Sequence, residues 1–323
     1  MTNPKVIATR RWPREVEQVL VSEFGATLNE DDHPFSDAEM IAALSDYDVV
    51  LPTVCDKLSA SVFAGGKVRA KLLGNFGVGF NHIDTEAARR AGVAVTNTPG
   101  CLTDCTADIA LTLLLTVARR AGEGERQLRS GGWSGWCPTH LQGSKVSGKT
   151  LGIIGMGRIG MAMAKRCHFG FDMNVVFYNR SRMNEEKARS VGARQLASVE
   201  EVLKVADFVS LHCPGGGANS KLINAERLSV MKKTAFLINT ARGDVIDEQA
   251  LVDALNNNQI AGAGLDVYES EPQVHAGLLT HENVVLLPHL GSATTETRVA
   301  MGMKVVENLR AFTAGKTLPN RVA

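Results

Sequence analysis

Short apolar runs alternate with amphipathic segments along nearly the whole chain. Lys5–Thr9 (KVIAT), Asp48–Pro52 (DVVLP), Lys71–Phe76 (KLLGNF) and Val93–Asn97 (VAVTN) read as buried strands. Helical patterns lie between them. Pro13–Phe24 has proline in its first turn, Ser36 and Glu39 form a capping box opening a helix through Leu44, and Asp84 caps a short helix to Arg90. Thr103–Arg120 reads as one long apolar helix, with Asp104 and Asp108 early and Arg119–Arg120 late, as the helix dipole favours. Residues 121–148 are glycine-rich and hold Trp133, Trp136 and Pro138. A second series starts at Lys149: TLGIIG, VVFYN, FVSLHC, AFLINT, GAGLDV and VVLLP alternate with helical stretches, and a last helix covers Thr294–Phe312. Strands alternating with helices predict βαβ units and parallel sheets.

The 323 residues exceed the length at which one core stops growing, so two domains are expected. A content of 44% hydrophobic and 21% charged residues is ordinary for a globular chain and argues against disorder. Lys+Arg 35 against Asp+Glu 34 leaves +1, so no global field draws in nucleic acid or an anionic membrane. Any charged ligand must be held by a local site. The 6 cysteines include no CxxC pair and no His/Cys cluster of metal-ligand spacing, so free thiols and no metal are expected. Residues 1–15 carry Lys5, Arg10, Arg11 and Arg14 without an apolar core behind them, and no run long enough to span a membrane occurs. A soluble, cytoplasmic protein is the expectation.

The sharpest local motif is Gly155-Met156-Gly157-Arg158-Ile159-Gly160. It follows a strand and opens a helix, the context that makes GxGxxG a dinucleotide site. Gly155 permits the tight turn, Gly157 admits a pyrophosphate to the backbone, and Gly160 lets helix and strand pack closely, while the helix N-terminus offers N–H groups to phosphate. An NAD site would place a carboxylate at the end of the next strand. That strand ends in Asn179-Arg180-Ser181-Arg182 instead. An aspartate repels a 2′-phosphate, whereas arginine holds one bidentately, so NADP(H) is expected over NAD(H).

Further along, Asn239-Thr240-Ala241-Arg242-Gly243-Asp244, Asp266, Glu271-Pro272 and Pro288-His289 each fall just past a strand end. Ligands bind at that edge of a doubly wound sheet, and one Arg, one Glu and one His placed there form a coherent catalytic set. Together with GMGRIG, the stretches INTARGDVIDEQAL, AGLDVYESEP and LPHLGSAT resemble the D-isomer-specific 2-hydroxyacid dehydrogenase family, and NFGVGFNHID and TADIALTLLL are similar to its early segments. The segment GGWSGWCP before GKTLGIIGMGRIG looks like the glyoxylate/hydroxypyruvate reductase branch.

The resemblance implies two doubly wound parallel-sheet domains: a Rossmann-type cofactor domain, residues 100–290, inserted in a flavodoxin-like substrate domain, residues 1–99 and 291–323. It implies His289 as general acid, with Glu271 bonded to its other ring nitrogen. It implies Arg242 as the fork that binds the substrate carboxylate and polarises its carbonyl, with backbone N–H groups of Val78 and Gly79 on the carboxylate's other face. The cofactor set it implies comprises Thr106, the glycine loop with Arg158 and Ile159, the Asn179–Arg182 segment, His212, Cys213, Pro214, Thr240, Ala241, Asp266, His289 and Gly291. In this branch the second tryptophan of the segment, here Trp136, reaches the substrate of a partner subunit, so a homodimer is expected.

Asn81, Asp108 and Gly215-Gly216-Gly217 depart from common family choices, and the triglycine is expected to make room for the 2′-phosphate. The reading is an NADPH-dependent reductase of glyoxylate and hydroxypyruvate. Another D-2-hydroxyacid dehydrogenase, such as phosphoglycerate dehydrogenase, is the alternative enzyme. A dinucleotide-sensing corepressor-like binding protein is the alternative from another class.

Overall fold

A computed structural model describes residues 4–323. The chain divides into two compact units: residues up to Leu102 together with Ala293–Ala323, and Thr103–Ser292.

In the first unit the apolar runs form strands β1 (Val6–Ala8), β2 (Val49–Leu51), β3 (Leu72–Gly74) and β4 (Ala94–Thr96), all parallel and adjacent in chain order. Thr27 adds a parallel bridge on the outer side of β1, with Ala8 N–H donating to Thr27 C=O at 3.0 Å and Thr27 N–H to Val6 C=O at 2.9 Å. Counting that segment gives the flavodoxin-like order 2-1-3-4-5. Helices cover both faces. Val16 and Leu20 of helix Arg14–Phe24 pack with Met301 and Val305 of helix Thr295–Thr313 on one face, and Met40, Leu44, Val62 and Ala87 fill the other. The Ser36/Glu39 capping box forms as the sequence predicts.

The second unit carries β5 (Thr150–Ile154), β6 (Asn174–Tyr178), β7 (Ala193–Gln195), β8 (Phe208–Leu211), β9 (Phe236–Asn239), β10 (Gly262–Leu265) and β11 (Val284–Leu286). The sheet is parallel, in the order β11-β10-β9-β8-β5-β6-β7. Renumbered within the unit, the first six strands read 3-2-1-4-5-6, the Rossmann order, with the seventh added beyond the sixth. The winding reverses between β5 and β8, the switch point at whose C-terminal edge such sheets bind their ligands. Leu113, Leu114, Met163 and Cys167 fill one face of the sheet, and Leu203, Leu228, Leu251 and Leu255 the other.

Two local expectations change. The long apolar helix stops at Ala118, and Arg120 takes a left-handed φ of 51° that turns the chain into a separate helix, Ala121–Arg129. That helix buries none of its residues, so no apolar stripe announces it. Strand β7 is also absent from the sequence reading, being three residues long with Arg194 and Gln195 in it. Among the described residues no helix is long and apolar enough to cross a membrane.

Candidate active site

The glycine loop leaves β5 at Gly155, whose φ of 96° excludes most side chains. A Cβ there would lie 2.6 Å from Cys213 N, so the loop rests directly on the His212–Cys213 backbone that ends β8. Gly160 comes as close to the Gly155 carbonyl, fixing helix Arg158–Phe171 against the strand. Gly157 differs: a Cβ there meets nothing within 4 Å. It is also the N-cap residue, without a side-chain cap, so the first-turn N–H groups around Arg158 and Ile159 face room an anion can fill. Among the described residues, two buried polar atoms nearby lack partners, His212 Nδ1 just past β8 and Thr240 Oγ1 just past β9. Glycine cradle, uncapped helix and orphaned atoms together fit a dinucleotide. Burial pushes the His212 ring down to about 4 and the Cys213 thiol up to about 11, so both are neutral near neutral pH.

At the end of β6, Asn179 Oδ1 accepts the Met156 N–H at 2.7 Å and so braces the glycine loop. Ser181 and the Arg180 and Arg182 side chains stand in solvent. Arg182 pairs with Glu185 at 2.6 Å, and Glu185 also holds Arg189 at 3.0 Å. Arg180 has no ion-pair partner among the described residues. The triglycine lies against the Arg242–Asp244 turn. Gly215 abuts the Arg242 stem, where a Cβ would come within 2.8 Å of Arg242 Cβ, and Gly216 N–H donates to Asp244 Oδ2 at 2.6 Å.

Three strand ends bring the catalytic candidates together. Past β9, Asn239 folds the turn: its Oδ1 accepts Ala241 N–H at 3.0 Å and its Nδ2 donates to Arg242 C=O at 2.8 Å. Gly243 then lies so close to the Tyr268–Glu269 backbone that any Cβ would overlap it. This contact locks the Arg242 turn to the segment that carries Glu271. Tyr268 fixes that segment in turn, its hydroxyl donating to Leu287 C=O at 2.8 Å and its N–H to Glu271 Oε1 at 3.0 Å. The Glu271–Pro272 peptide is cis.

His289 Nδ1 lies 2.8 Å from Glu271 Oε2. Burial pushes the Glu271 carboxyl up, but the hydrogen bond and charge of His289, the Tyr268 N–H and the Arg242 charge outweigh it, and the net direction is down. Burial also draws the Arg242 value down, opposed by the charges of Glu271 and Asp244.

His289 adopts a left-handed φ of 54°. Its turn is held from two sides. Asp266 Oδ1 accepts Leu290 N–H at 2.6 Å and Oδ2 accepts Gly291 N–H at 2.8 Å, while Thr106 Oγ1 donates to Gly291 C=O at 3.0 Å. Burial raises the Asp266 value against the pull of those N–H groups. Asp266 and Thr106 thus brace the histidine turn, a task no spacing reveals. Asp108, outside the catalytic set, ion-pairs with Arg166 at 2.7 Å.

In the first unit, the Val78–Gly79 loop is pinned by two buried amides. Asn75 Nδ2 donates to Gly77 C=O at 3.1 Å and Gly79 C=O at 3.0 Å, and Asn97 Nδ2 to Val78 C=O at 2.8 Å. His82 bonds to Asn75 Oδ1 at 3.0 Å. In the second unit, Trp136 is 82% exposed in a segment without regular structure. Among the described residues no cluster of metal-ligating side chains occurs.

Residues 111–291 match the family model described as D-isomer specific 2-hydroxyacid dehydrogenase, NAD binding domain. The chain belongs to the D-isomer-specific 2-hydroxyacid dehydrogenases. It is 41% identical over 323 residues to the glyoxylate reductase of Pyrococcus furiosus, covering 99% of this chain and 95% of that one. The glyoxylate reductase of Thermococcus onnurineus is 42% identical, with 99% and 96% covered. Among solved structures, an NADPH-dependent glyoxylate/hydroxypyruvate reductase from Sinorhizobium meliloti, in complex with NADP and malonate, superposes with a TM-score of 0.88 at 33% identity, covering 100% of this chain and 97% of that one. A protein from Thermus thermophilus gives the same TM-score, 0.88, at 41% identity, with 99% and 100% covered. This dehydrogenase is therefore an oxidoreductase with a nicotinamide dinucleotide as cofactor and a small 2-keto or 2-hydroxy acid as substrate.

Proposed function

We propose that this dehydrogenase reduces glyoxylate to glycolate and hydroxypyruvate to D-glycerate, with NADPH as the preferred cofactor. The observation that carries the reading is the Arg242–Glu271–His289 constellation at the C-terminal edge of a Rossmann sheet whose β6 end bears arginines and no carboxylate. Thr103–Ser292 would be the cofactor domain and the other unit the substrate domain.

The nicotinamide supplies the hydride when bound; its dinucleotide would be held by the glycine loop with Arg158 and Ile159, by Asn179–Arg182, by His212–Pro214, by Thr240–Ala241 and near Asp266 and Gly291. Arg242 binds the carboxylate of the keto acid with its planar fork and draws density from the neighbouring carbonyl. Carboxylate binding through backbone N–H groups is the role proposed for Val78 and Gly79. His289 donates its Nε2 proton to the carbonyl oxygen as the carbon is reduced, giving the hydroxyl. Glu271 fixes the ring's orientation and compensates the ring's charge until that proton leaves. In the reverse direction His289 takes the proton back. The braced left-handed turn means that little reorganisation is needed at the moment of transfer.

The exposed Trp136, with Trp133 49% and Leu128 61% exposed in the same region, supports a homodimer in which a second copy covers this surface. A cytoplasmic location accords with the free cysteines. The test is initial rates with glyoxylate, hydroxypyruvate and pyruvate, each with NADPH and NADH. Highest kcat/KM for the first two with NADPH is expected. Preference for NADH would refute the cofactor reading, and no turnover of any of the three would refute the substrate reading.

A further inference from the structure

The edge strand β7 ends in Gln195, whose side-chain amide is spent entirely on one loop. Its Oε1 accepts the Met183 N–H at 2.9 Å, and its Nε2 donates to Ser181 C=O at 3.1 Å and to Asn179 C=O at 3.4 Å. The loop so gripped is Asn179–Met183, the one that carries Arg180 and Arg182. At its root the same loop is tied to the glycine loop through Asn179 Oδ1 and Met156 N–H. Gln195 stands opposite Phe177 in the β6–β7 register, so sheet pairing sets its position. Beside it opens a cavity of about 770 Å³ lined by Arg180, Arg182, Arg189 and Arg194, with Glu185 among them.

We infer that Gln195 is a positioning residue that sets cofactor selectivity, by presenting Arg180 and Arg182 to the 2′-phosphate. The inference rests on the reading that the cofactor is NADP(H). Arg180 and Arg182 are long, exposed side chains on a loop without regular structure. Gripping a phosphate orders both side chains and the backbone beneath them. A loop already fixed at three of its backbone groups loses less freedom on binding, and the saving appears as affinity. NAD(H) has no 2′-phosphate and makes no use of the two guanidinium groups, so loosening the loop weakens NADP(H) selectively. Gln195 touches no cofactor atom in this scheme and acts through the loop.

The test is calorimetric titration of NADP+ and NAD+ into full-length wild type, Q195A and Q195M, with a thermal melt of each. Q195A removes all three hydrogen bonds. Q195M keeps the bulk of the side chain, adds no charge beside the arginines and loses the same three hydrogen bonds, so it carries the comparison should Q195A melt early. The expected result is a wild type that binds NADP+ more tightly, and variants in which the Kd for NADP+ rises on the order of tenfold while that for NAD+ stays within about twofold. The ratio of kcat/KM for NADPH to that for NADH falls in parallel. Variants that melt like wild type yet weaken both cofactors equally, or neither, overturn the positioning role and leave the NADP reading standing. A wild type that binds NAD+ more tightly overturns both.

Discussion

The turn that carries His289 and the loop that carries Arg180 both follow strand ends of one sheet, yet they are built in opposite ways. The histidine turn is held by a buried carboxylate, a buried hydroxyl and a neighbouring carboxylate on the ring, and it keeps a left-handed backbone under those constraints. The arginine loop lies in solvent, with one side-chain amide from an edge strand gripping it. Proton transfer depends on tenths of an ångström, so its scaffold is over-determined. Choosing between two cofactors asks less of the scaffold: one amide limits the freedom of a solvated loop, and such a loop can change without disturbing the core.

This contrast predicts unequal effects. His289→Asn, which the left-handed turn tolerates, should lower kcat by roughly 10²–10⁴ while the protein melts like wild type, measured by steady-state rates beside a thermal melt; a loss below about tenfold would remove the histidine from proton transfer. Arg242→Gln should lower kcat/KM for glyoxylate by about 10²–10³, chiefly by losing the carbonyl's polarising group. At the arginine loop, Arg180→Ala should raise KM for NADPH by about ten- to a hundredfold and leave NADH alone. Arg182→Ala should change it less, within about threefold, because that guanidinium is already shared with Glu185 in an exposed pair. Equal effects at 180 and 182 would show that the Glu185 pair does not hold Arg182 back.

The smallest expected effect concerns acid stability. His212 keeps its ring neutral in the fold, with Nδ1 shut away although the residue as a whole is only half-buried. Its value is depressed from 6.5 to about 4 on folding, so between those pH values the unfolded chain binds the extra proton. The stabilising contribution is intact above the unfolded value and is lost as pH falls toward the folded one. His212→Asn should therefore show a shallower fall in Tm between about pH 7 and 4.5 than wild type, as read by differential scanning calorimetry.

Much of this is legible in the sequence because the relevant signals are local. GMGRIG must follow a strand and open a helix, and it does; Arg242, Glu271 and His289 each sit one short step past an apolar run. Other features are not legible because partners distant in sequence decide them. The hydrogen bonds that the Asp266 oxygens accept from the amides of 290 and 291 leave no mark in the local pattern. Gln195 is unremarkable in a three-residue strand, and only sheet pairing brings it beneath a loop twelve or more residues upstream. Gly215 makes space for the Arg242 stem, a contact between two loops that no pattern encodes.

The left-handed backbone at His289 also narrows what mutation can explore there. That conformation accepts glycine and tolerates asparagine, aspartate and histidine far better than β-branched or bulky residues. A library at this position screened only for folded protein should therefore return a short set of residue types, and the same library screened for turnover should return histidine alone. The overlap of those two sets is a single amino acid, so the turn and the chemistry filter the same codon independently.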